Sequence, residues 1–347
     1  MNLKERIRTF AGLGEMLRNS LAGKKTNISG ELNSLIETQH QKNPWFTPDN
    51  VKMSVSAIAD TLTYDNLLKW TDKYPELERA DKPVRIAVIM AGNIPLVGFH
   101  DFLSVLITGN DIIAKTSSKD EDLIRFIGRT LTSLNPEFEK KIIFAEGTIS
   151  GFEAVIATGS DNTSRYFEYY FGKYPHIIRK NRNSVAIIEG NEPESQLKSL
   201  GKDIFSYFGL GCRNVSKLFV PKDYDFSVMT KHWNDFSWLA NHNKYINNYD
   251  YYKAVSIMNK EKFIDTGFVL IKENTDISSP VSVLYYEEYD SVKKLRSHLN
   301  ETEDKIQCIT GRNYIPFGTA QLPALWDYAD RTDTIDFILK KISAGIL

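Results

Sequence analysis

Short apolar runs alternate with amphipathic stretches through the middle of the chain. The runs are rich in β-branched residues and fall at residues 84–91, 111–115, 141–145 and 154–158. Apolar residues recur at helical spacing over 95–107, with Pro95 in the first predicted turn, and again over 120–131. Short buried strands that alternate with helices are typical of a parallel, doubly wound sheet, which binds ligands at the carboxyl ends of its strands.

A second set of strands and helices follows residue 183. The predicted strands are residues 184–188, 217–221, 268–270, 281–285 and 305–310. A helix is predicted over 193–207, and a short helix is predicted to begin at Cys212. The Asn- and Tyr-rich stretch 241–252 is predicted to be an exposed loop. The pattern therefore indicates a second α/β unit.

The two ends of the chain favour helices. Residues 2–17 and 54–70 are amphipathic, and the segment 43–48, which carries two prolines, interrupts the chain between them. Residues 333–344 predict an amphipathic C-terminal helix, which Gly345 would end.

Composition narrows the class of protein. The 347 residues include 43 basic and 44 acidic side chains, so the basic excess that nucleic-acid binding requires is missing. The longest apolar runs fall far short of the ~20 residues of a membrane-spanning helix, and charges interrupt any secretory signal in the first twenty residues. With two cysteines and six scattered histidines, we expect a cytoplasmic protein without a disulfide framework, a metal site or stable membrane insertion.

Cys212 is the candidate nucleophile. It follows two glycines and precedes Arg213. At the N-terminus of the predicted helix, the helix dipole and the Arg213 charge would stabilise its thiolate. A buried, inert cysteine is the alternative, and that alternative is favoured for Cys308, which lies in the middle of a predicted strand.

Six separate segments resemble the aldehyde dehydrogenase superfamily, in the same order along the chain. They are residues 91–95, 109–115, 157–160, 211–221, 280–284 and 316–318. Within that superfamily, residues 209–216 and 316–330 are most similar to the LuxC-type acyl-CoA reductases. The resemblance implies an aldehyde-dehydrogenase-like α/β fold, with a Rossmann-type cofactor domain and an α/β catalytic domain, and it implies a homo-oligomer.

The resemblance also implies how the chain divides into domains. The expected parts are an N-terminal helical segment at 1–80, a nicotinamide-cofactor-binding domain at 81–183, a catalytic cysteine domain at 184–315, and a C-terminal segment at 316–347. The last of these is expected to pack back on the cofactor domain or on another subunit.

Roles for individual residues follow from the same resemblance. Cys212 would attack an acyl thioester. The Asn93 side chain and the Cys212 N–H would stabilise the oxyanion that forms. The alternative role for Asn93 is a helix N-cap. The residues implied to bind the cofactor are Lys115, Ser117, Thr158, Gly159, Ser160 and Asp276. A solvated charge and a helix cap are the alternatives for Lys115 and Ser160. Core packing is favoured over an acyl tunnel for the aromatic residues Trp233, Phe236 and Trp238.

Two positions depart from the superfamily pattern. Members that oxidise aldehydes carry a glutamate that activates water, and Arg179 stands at that position here. An acyl-Cys212 intermediate would therefore resist hydrolysis and exchange with CoA thiol instead. The carboxylate that accepts from a ribose 2′-OH in NAD-preferring members is replaced by Ser118, so NADPH is the expected cofactor and NADH the alternative.

These observations predict that an acyl-CoA thioester is reduced to the aldehyde with NAD(P)H, through an acyl-cysteine intermediate. The resemblance implies that the acyl group is a fatty acyl group. Acyl-CoA or an acyl carrier protein would be the acyl donor. One alternative is a cysteine-dependent acyltransferase or thioesterase without nicotinamide chemistry. The other is a non-catalytic acyl-binding subunit.

Overall fold

The computed structural model describes residues 1–79 and 82–342, and the chain forms two compact units. The first unit comprises residues 1–180 together with the segment from 324 onward. The second unit comprises residues 181–323. The predicted helix stop at Gly345 lies outside the described residues.

Helices open the first unit. They are α1 (Leu3–Leu21), α2 (Ser29–Lys42), α3 (Pro48–Thr61) and α4 (Tyr64–Thr71). A capping box starts α1: the Asn2 side chain accepts from the Glu5 N–H, and the Glu5 carboxylate accepts from the Asn2 N–H. The predicted stretch 54–70 is two helices, because α3 ends at Thr61 and Thr63 caps α4.

A parallel sheet forms the centre of the first unit. Its strands are β1 (Arg85–Ile89), β2 (Asp111–Lys115), β3 (Ile142–Phe144), β4 (Ala154–Thr158) and β5 (His176–Arg179). Their order is β3-β2-β1-β4-β5. Helices α5 (Phe99–Ile107), α6 (Glu121–Leu134) and α7 (Asp161–Phe171) follow β1, β2 and β4. Because β2 and β4 flank β1, the strand order reverses there, and doubly wound sheets bind ligands at such a switch point.

Helix α5 is apolar because it is surrounded by the core. All of its residues except His100 are buried, whereas α6 buries one face. The helix begins at Phe99 rather than at the predicted Pro95, since Leu96 has a left-handed backbone with φ of 58°.

The second unit is built on another sheet, of order β11-β6-β7-β10-β9-β8. Its strands are β6 (Asn183–Ile187), β7 (Val215–Pro221), β8 (Ile264–Asp265), β9 (Leu270–Glu273), β10 (Val283–Tyr289) and β11 (Ile306–Thr310). Its helices are α8 (Glu194–Phe205), α9 (Ser227–Thr230), α10 (Asn243–Met258) and α11 (Val292–Glu301). Neighbouring strands are parallel except β8 and β9.

The exposed loop predicted over 241–252 is wrong, because α10 occupies most of that stretch. The His242 ring accepts from the Tyr245 N–H and caps the helix. Tyr245 and Tyr249, one helical turn apart, are 2% and 5% exposed, so they give a polar sequence a buried face.

The chain returns to the first unit after Pro323. The Tyr328 hydroxyl lies 2.7 Å from Trp70 Nε1 and 2.7 Å from the Tyr74 hydroxyl, and Tyr74 donates to Asp333. The helix predicted over 333–344 is shorter than expected. Helix α12 (Thr334–Phe337) gives way to a π-helical turn at Ile338–Ile342.

Candidate active site

The carboxyl ends of β1 and β2 bring three predicted site residues to one edge of the first sheet. Asn93 lies exposed in the bend after β1, Lys115 ends β2 half-buried, and Ser117 lies in the loop that follows. A Cβ on Gly92 would lie 2.4 Å from Ser117 Oγ, so glycine at this position lets the loops after β1 and β2 approach closely.

The loop after β4 leads directly into a helix N-terminus at the same edge. Thr158 ends β4, and Ser160 caps α7 by accepting from the Thr163 N–H at 3.4 Å. Gly159 allows this sharp turn, since a Cβ there would lie 2.9 Å from the Phe167 ring. The cap role for Ser160 is therefore realised, and the first N–H groups of a helix carry the partial positive charge that suits a phosphate.

The chemistry of this edge fits a dinucleotide. Residues 115–119 read Lys-Thr-Ser-Ser-Lys and contain no carboxylate. Lys119 and Lys180 are exposed in the loops after β2 and β5. Ammonium groups, hydroxyls and the α7 N-terminus together form a donor set for phosphate oxygens.

A buried carboxyl holds the bend that carries Asn93. Asp120 is 5% exposed, and its Oδ2 accepts the Leu96 N–H at 2.7 Å. Burial raises the pKa of Asp120 well above its ordinary value, although the N–H groups of Leu96 and Val97 oppose this. The N-cap of α5 is Gly98, so Asn93 does not cap that helix.

Cys212 lies half-buried in a turn at the amino end of β7. The Asn214 N–H donates to the Gly211 carbonyl at 3.0 Å, and these four residues, 211–214, are the nucleophile turn. The helix predicted to begin at Cys212 is wrong, because β7 already starts at Val215. Because no helix begins at Cys212, a helix dipole does not stabilise its thiolate.

The loop at 318–320 is bound by the Asp203 carboxylate of α8 and by the Arg213 guanidinium of the nucleophile turn. Asp203 is fully buried and accepts from the N–H groups of Gly318 (2.6 Å) and Ala320 (3.0 Å). Arg213 Nε donates to the Ala320 carbonyl. Burial raises the pKa of Asp203 to about 6, while the two N–H bonds and the Arg213 charge act in the opposite direction.

The backbone that approaches the turn is strained. Tyr207 and Phe208 are consecutive non-glycine residues with φ of 52° and 59°, followed by Gly209 at 76°. Both aromatic side chains are buried, and Phe208 stacks on His242 with ring centroids 4.2 Å apart. Such conformations persist only where the surroundings enforce them, and they cluster at functional sites.

Arg179 is committed to a buried ion pair in the first unit. Its side chain binds both carboxylate oxygens of Asp101, at 2.7 and 3.2 Å, and also donates to Thr334 and to the Ala329 carbonyl. Burial would raise the pKa of Asp101, but the Arg179 charge and hydrogen bonds hold it below its ordinary value. A guanidinium is no general base, so this position cannot activate water.

Asp276 is exposed in the loop between β9 and β10 of the second unit. The backbone on either side of it is fixed: Lys217 Nζ donates to the Thr275 carbonyl at 2.8 Å, and Ser216 Oγ donates to the Ile277 carbonyl at 2.6 Å. Its role toward a ribose stays a prediction.

A family model described as acyl-CoA reductase (LuxC) matches residues 45–228, which is more than half of the chain. The chain belongs to the LuxC acyl-CoA reductase family. The similarity predicted from residues 209–216 is thereby confirmed.

A curated relative of this LuxC-family chain is the long-chain acyl-protein thioester reductase of Aliivibrio fischeri. The two are 23% identical over 192 residues, which cover 49% of this chain and 40% of the relative. The match therefore spans about two-fifths of the reductase.

Solved structures confirm the predicted aldehyde-dehydrogenase-like fold. Aldehyde dehydrogenase 21 from Physcomitrella patens superposes with a TM-score of 0.64 at 13% identity, covering 90% of this chain and 74% of that one. A Mycobacterium tuberculosis aldehyde dehydrogenase complexed with NAD⁺ gives 0.63 at 14% identity, with 89% and 73% covered. In the described part of the LuxC-family chain, no helix is long and apolar enough to cross a membrane.

A small cavity lies beside the nucleophile turn of the LuxC-family chain. It measures about 30 Å³, is lined by Phe208, Val215 and Tyr245 among others, and has room for one water molecule. Trp233 is fully buried and donates to the Leu197 carbonyl, so it packs in the core, while Trp238 is 45% exposed.

Three residues of this LuxC-family chain near Cys212 were not predicted as functional. Ser184, Asp203 and Asn214 are buried polar side chains that bind backbone groups of the turn or of the neighbouring loop. Asn214 stands two positions after Cys212, just before the strand predicted from residues 217–221, and that is its local signal.

Proposed function

We propose that this LuxC-family chain reduces an acyl thioester to an aldehyde with NADPH, through an acyl intermediate on Cys212. One observation carries the proposal: Cys212 lies in a held, partly exposed turn, while the position of a water-activating base is taken by the buried Arg179. A thioester on Cys212 would then survive long enough to be reduced. The Aliivibrio fischeri relative is a long-chain acyl-protein thioester reductase, which supports the same reaction.

The Cys212 thiolate attacks the carbonyl carbon of the acyl donor. The Sγ–C bond forms, the bond from carbon to the donor's sulfur breaks, and that sulfur leaves and takes up a proton. The Cys212 N–H and the Asn93 amide stabilise the oxyanion. NADPH, when bound, would supply the hydride that the acyl carbon needs. Cys212 then leaves as thiolate, so one acyl thioester, one NADPH and one proton give one aldehyde, one NADP⁺ and one free donor thiol.

The proposed cofactor residues belong to the carboxyl edge of the first sheet, with one exception. They are Lys115, Ser117, Thr158, Gly159 and Ser160, together with Asp276 of the second unit. NADPH is proposed over NADH because Ser118, unlike a carboxylate, does not repel a 2′-phosphate. The acyl donor is proposed to be acyl-CoA or an acyl carrier protein.

The test follows NADPH by absorbance at 340 nm with acyl-CoAs of several lengths and with an acyl carrier protein. The wild type and Cys308→Ala should consume NADPH, and Cys212→Ala should not. Cys308 is the matched control because it is the other of the chain's two cysteines.

Two outcomes would contradict the proposal. Transfer of a labelled acyl group to Cys212 without NADPH consumption would indicate an acyltransferase or thioesterase. Acyl binding without any transfer to Cys212 would indicate a non-catalytic subunit.

A further inference from the structure

Two buried side chains hold the backbone on either side of Cys212. Asn214 is 1% exposed and Ser184 is fully buried. Neither is given any chemical step in the proposed reaction, yet each binds main-chain groups of the nucleophile turn. Side chains that satisfy buried backbone groups in this way fix the local conformation.

Asn214 binds both polar groups of Gly211. Its Oδ1 accepts the Gly211 N–H at 2.8 Å, and its own N–H donates to the Gly211 carbonyl at 3.0 Å. The Gly211 carbonyl and the Cys212 N–H belong to one trans peptide, so they point in opposite directions. That main-chain bond fixes the direction of the Cys212 N–H, and the Asn214 side chain keeps the bond in place by binding the Gly211 N–H.

The other end of the Asn214 amide is anchored to the end of α8. Its Nδ2 donates to the carbonyls of Asp203 (3.1 Å), Ile204 (3.3 Å) and Ser206 (2.8 Å). Carbonyls at a helix C-terminus have no partner within the helix. The two amide hydrogens of Asn214 are shared among these three carbonyls and tie the nucleophile turn to the end of α8.

Ser184 holds the peptide on the carboxyl side of Cys212. Its hydroxyl donates to the Cys212 carbonyl at 3.0 Å and accepts the Cys308 N–H at 3.2 Å. Since Ser184 lies on β6 and Cys308 lies on β11, the second sheet fixes ψ of Cys212. Both peptides that flank the Cys212 Cα are therefore held.

We propose that Asn214 and Ser184 are positioning residues that aim the Cys212 N–H as an oxyanion donor. This inference rests on the proposed function, because an oxyanion forms only when the thiolate attacks a thioester or an ester. Alkylation of the same thiolate passes through no oxyanion. The acylation rate therefore depends on the direction of the Cys212 N–H as well as on the thiol. The alkylation rate depends only on the exposure and reactivity of the thiol.

The experiment measures both rates on the full chain. Acylation is followed with p-nitrophenyl acetate and with an acyl-CoA, and alkylation with iodoacetamide, in Asn214→Ala and Ser184→Ala. We expect acylation to fall about 100-fold in Asn214→Ala and about 10-fold in Ser184→Ala, in line with the loss of one oxyanion donor. Alkylation should change less than about threefold.

Matched controls are two buried residues of the same types elsewhere in the chain. Asn50→Ala removes an amide that is 5% exposed in α3, and Ser256→Ala removes a fully buried hydroxyl in α10. Neither should alter the ratio of acylation to alkylation. If Asn214→Ala does not fold, Ser184→Ala carries the test, since it removes a single hydroxyl.

An unchanged acylation rate, or an equal loss of both rates, would overturn the inference. So would a wild type that is alkylated but acylated by neither reagent. A wild type that is acylated without consuming NADPH would refute the proposed reduction alone, and the ratio in the variants would still support or overturn the positioning role.

Discussion

The carboxyl edge of the first sheet and the nucleophile turn of the second unit hold their candidate residues in different ways. At the sheet edge, Asn93 and Ser160 are exposed, and strand ends, glycines and a helix cap place them. At the nucleophile turn, buried side chains bind the backbone directly. We therefore expect the backbone conformation to depend more strongly on buried polar side chains at the nucleophile turn than at the sheet edge.

The two regions also lie at opposite ends of their strands. The sheet-edge residues follow the carboxyl ends of β1, β2 and β4, where parallel sheets bind ligands. Cys212 precedes the amino end of β7. Sheet topology alone therefore locates the first region and not the second.

The largest effect that tests this comparison is expected from Asn93→Ala. The rate of thioester reduction should fall by roughly 10²–10³, the effect of losing one oxyanion donor. Because Asn93 is exposed, the melting temperature should stay within the small range of surface substitutions. Reduction is measured at 340 nm and melting by circular dichroism, with the exposed Asn33→Ala in α2 as the control. If Asn93→Ala also lowered the melting temperature well beyond that range, Asn93 would hold the backbone, as the buried side chains at the nucleophile turn do.

A smaller effect is expected from Ser118→Glu. The new carboxylate would repel a 2′-phosphate and accept from a 2′-OH, so the preference for NADPH over NADH should fall roughly tenfold, or ~1.4 kcal/mol. The ratio of kcat/KM for the two cofactors measures it. Ser34→Glu, at an exposed site in α2, should leave that ratio unchanged. An equal loss of kcat/KM with NADPH and with NADH would show that Ser118 does not lie near the cofactor's 2′ position.

The last effect concerns stability rather than rate: Asp203→Asn should change how the free energy of unfolding depends on pH. Burial raises the pKa of Asp203 from an ordinary 3.8 to about 6. Between these values the folded chain keeps a proton that the unfolded chain has released, so this group lowers the free energy of unfolding as pH rises from about 4 to 6.

Asparagine does not titrate, so the variant should lack this decrease. Relative to Asp203→Asn, the melting temperature of the wild type should fall by roughly 2–6 °C between pH 4 and pH 6.5. Thermal melts at intervals across that range measure the difference. Parallel profiles for the two proteins would show that Asp203 has an ordinary pKa.

The strands were predictable because parallel strands buried on both faces must be apolar along their whole length. The runs at 111–115 and 154–158 coincide with β2 and β4. Helix α10 was not predictable, since its polar sequence relies on a histidine cap and two buried tyrosines.

In the candidate site, too, some residues could be predicted from the sequence and others could not. The sheet-edge residues follow predicted strands, so their neighbourhood was predictable from the sequence. The hold on Cys212 depends on Ser184, which is 28 positions away in the chain. Hydrogen bonds over such separations leave no periodicity in a sequence, and so Ser184 and Asp203 were missed.

The second unit interrupts the sequence of the first, and this orders the events of biosynthesis. Arg179 and Asp101 emerge from the ribosome well before Ala329 and Thr334, the partners that complete their buried pair. Tyr74 likewise waits for Asp333. The nascent second unit has its entire sequence available before the first unit does, so the part of the protein that is translated first is the last to be finished.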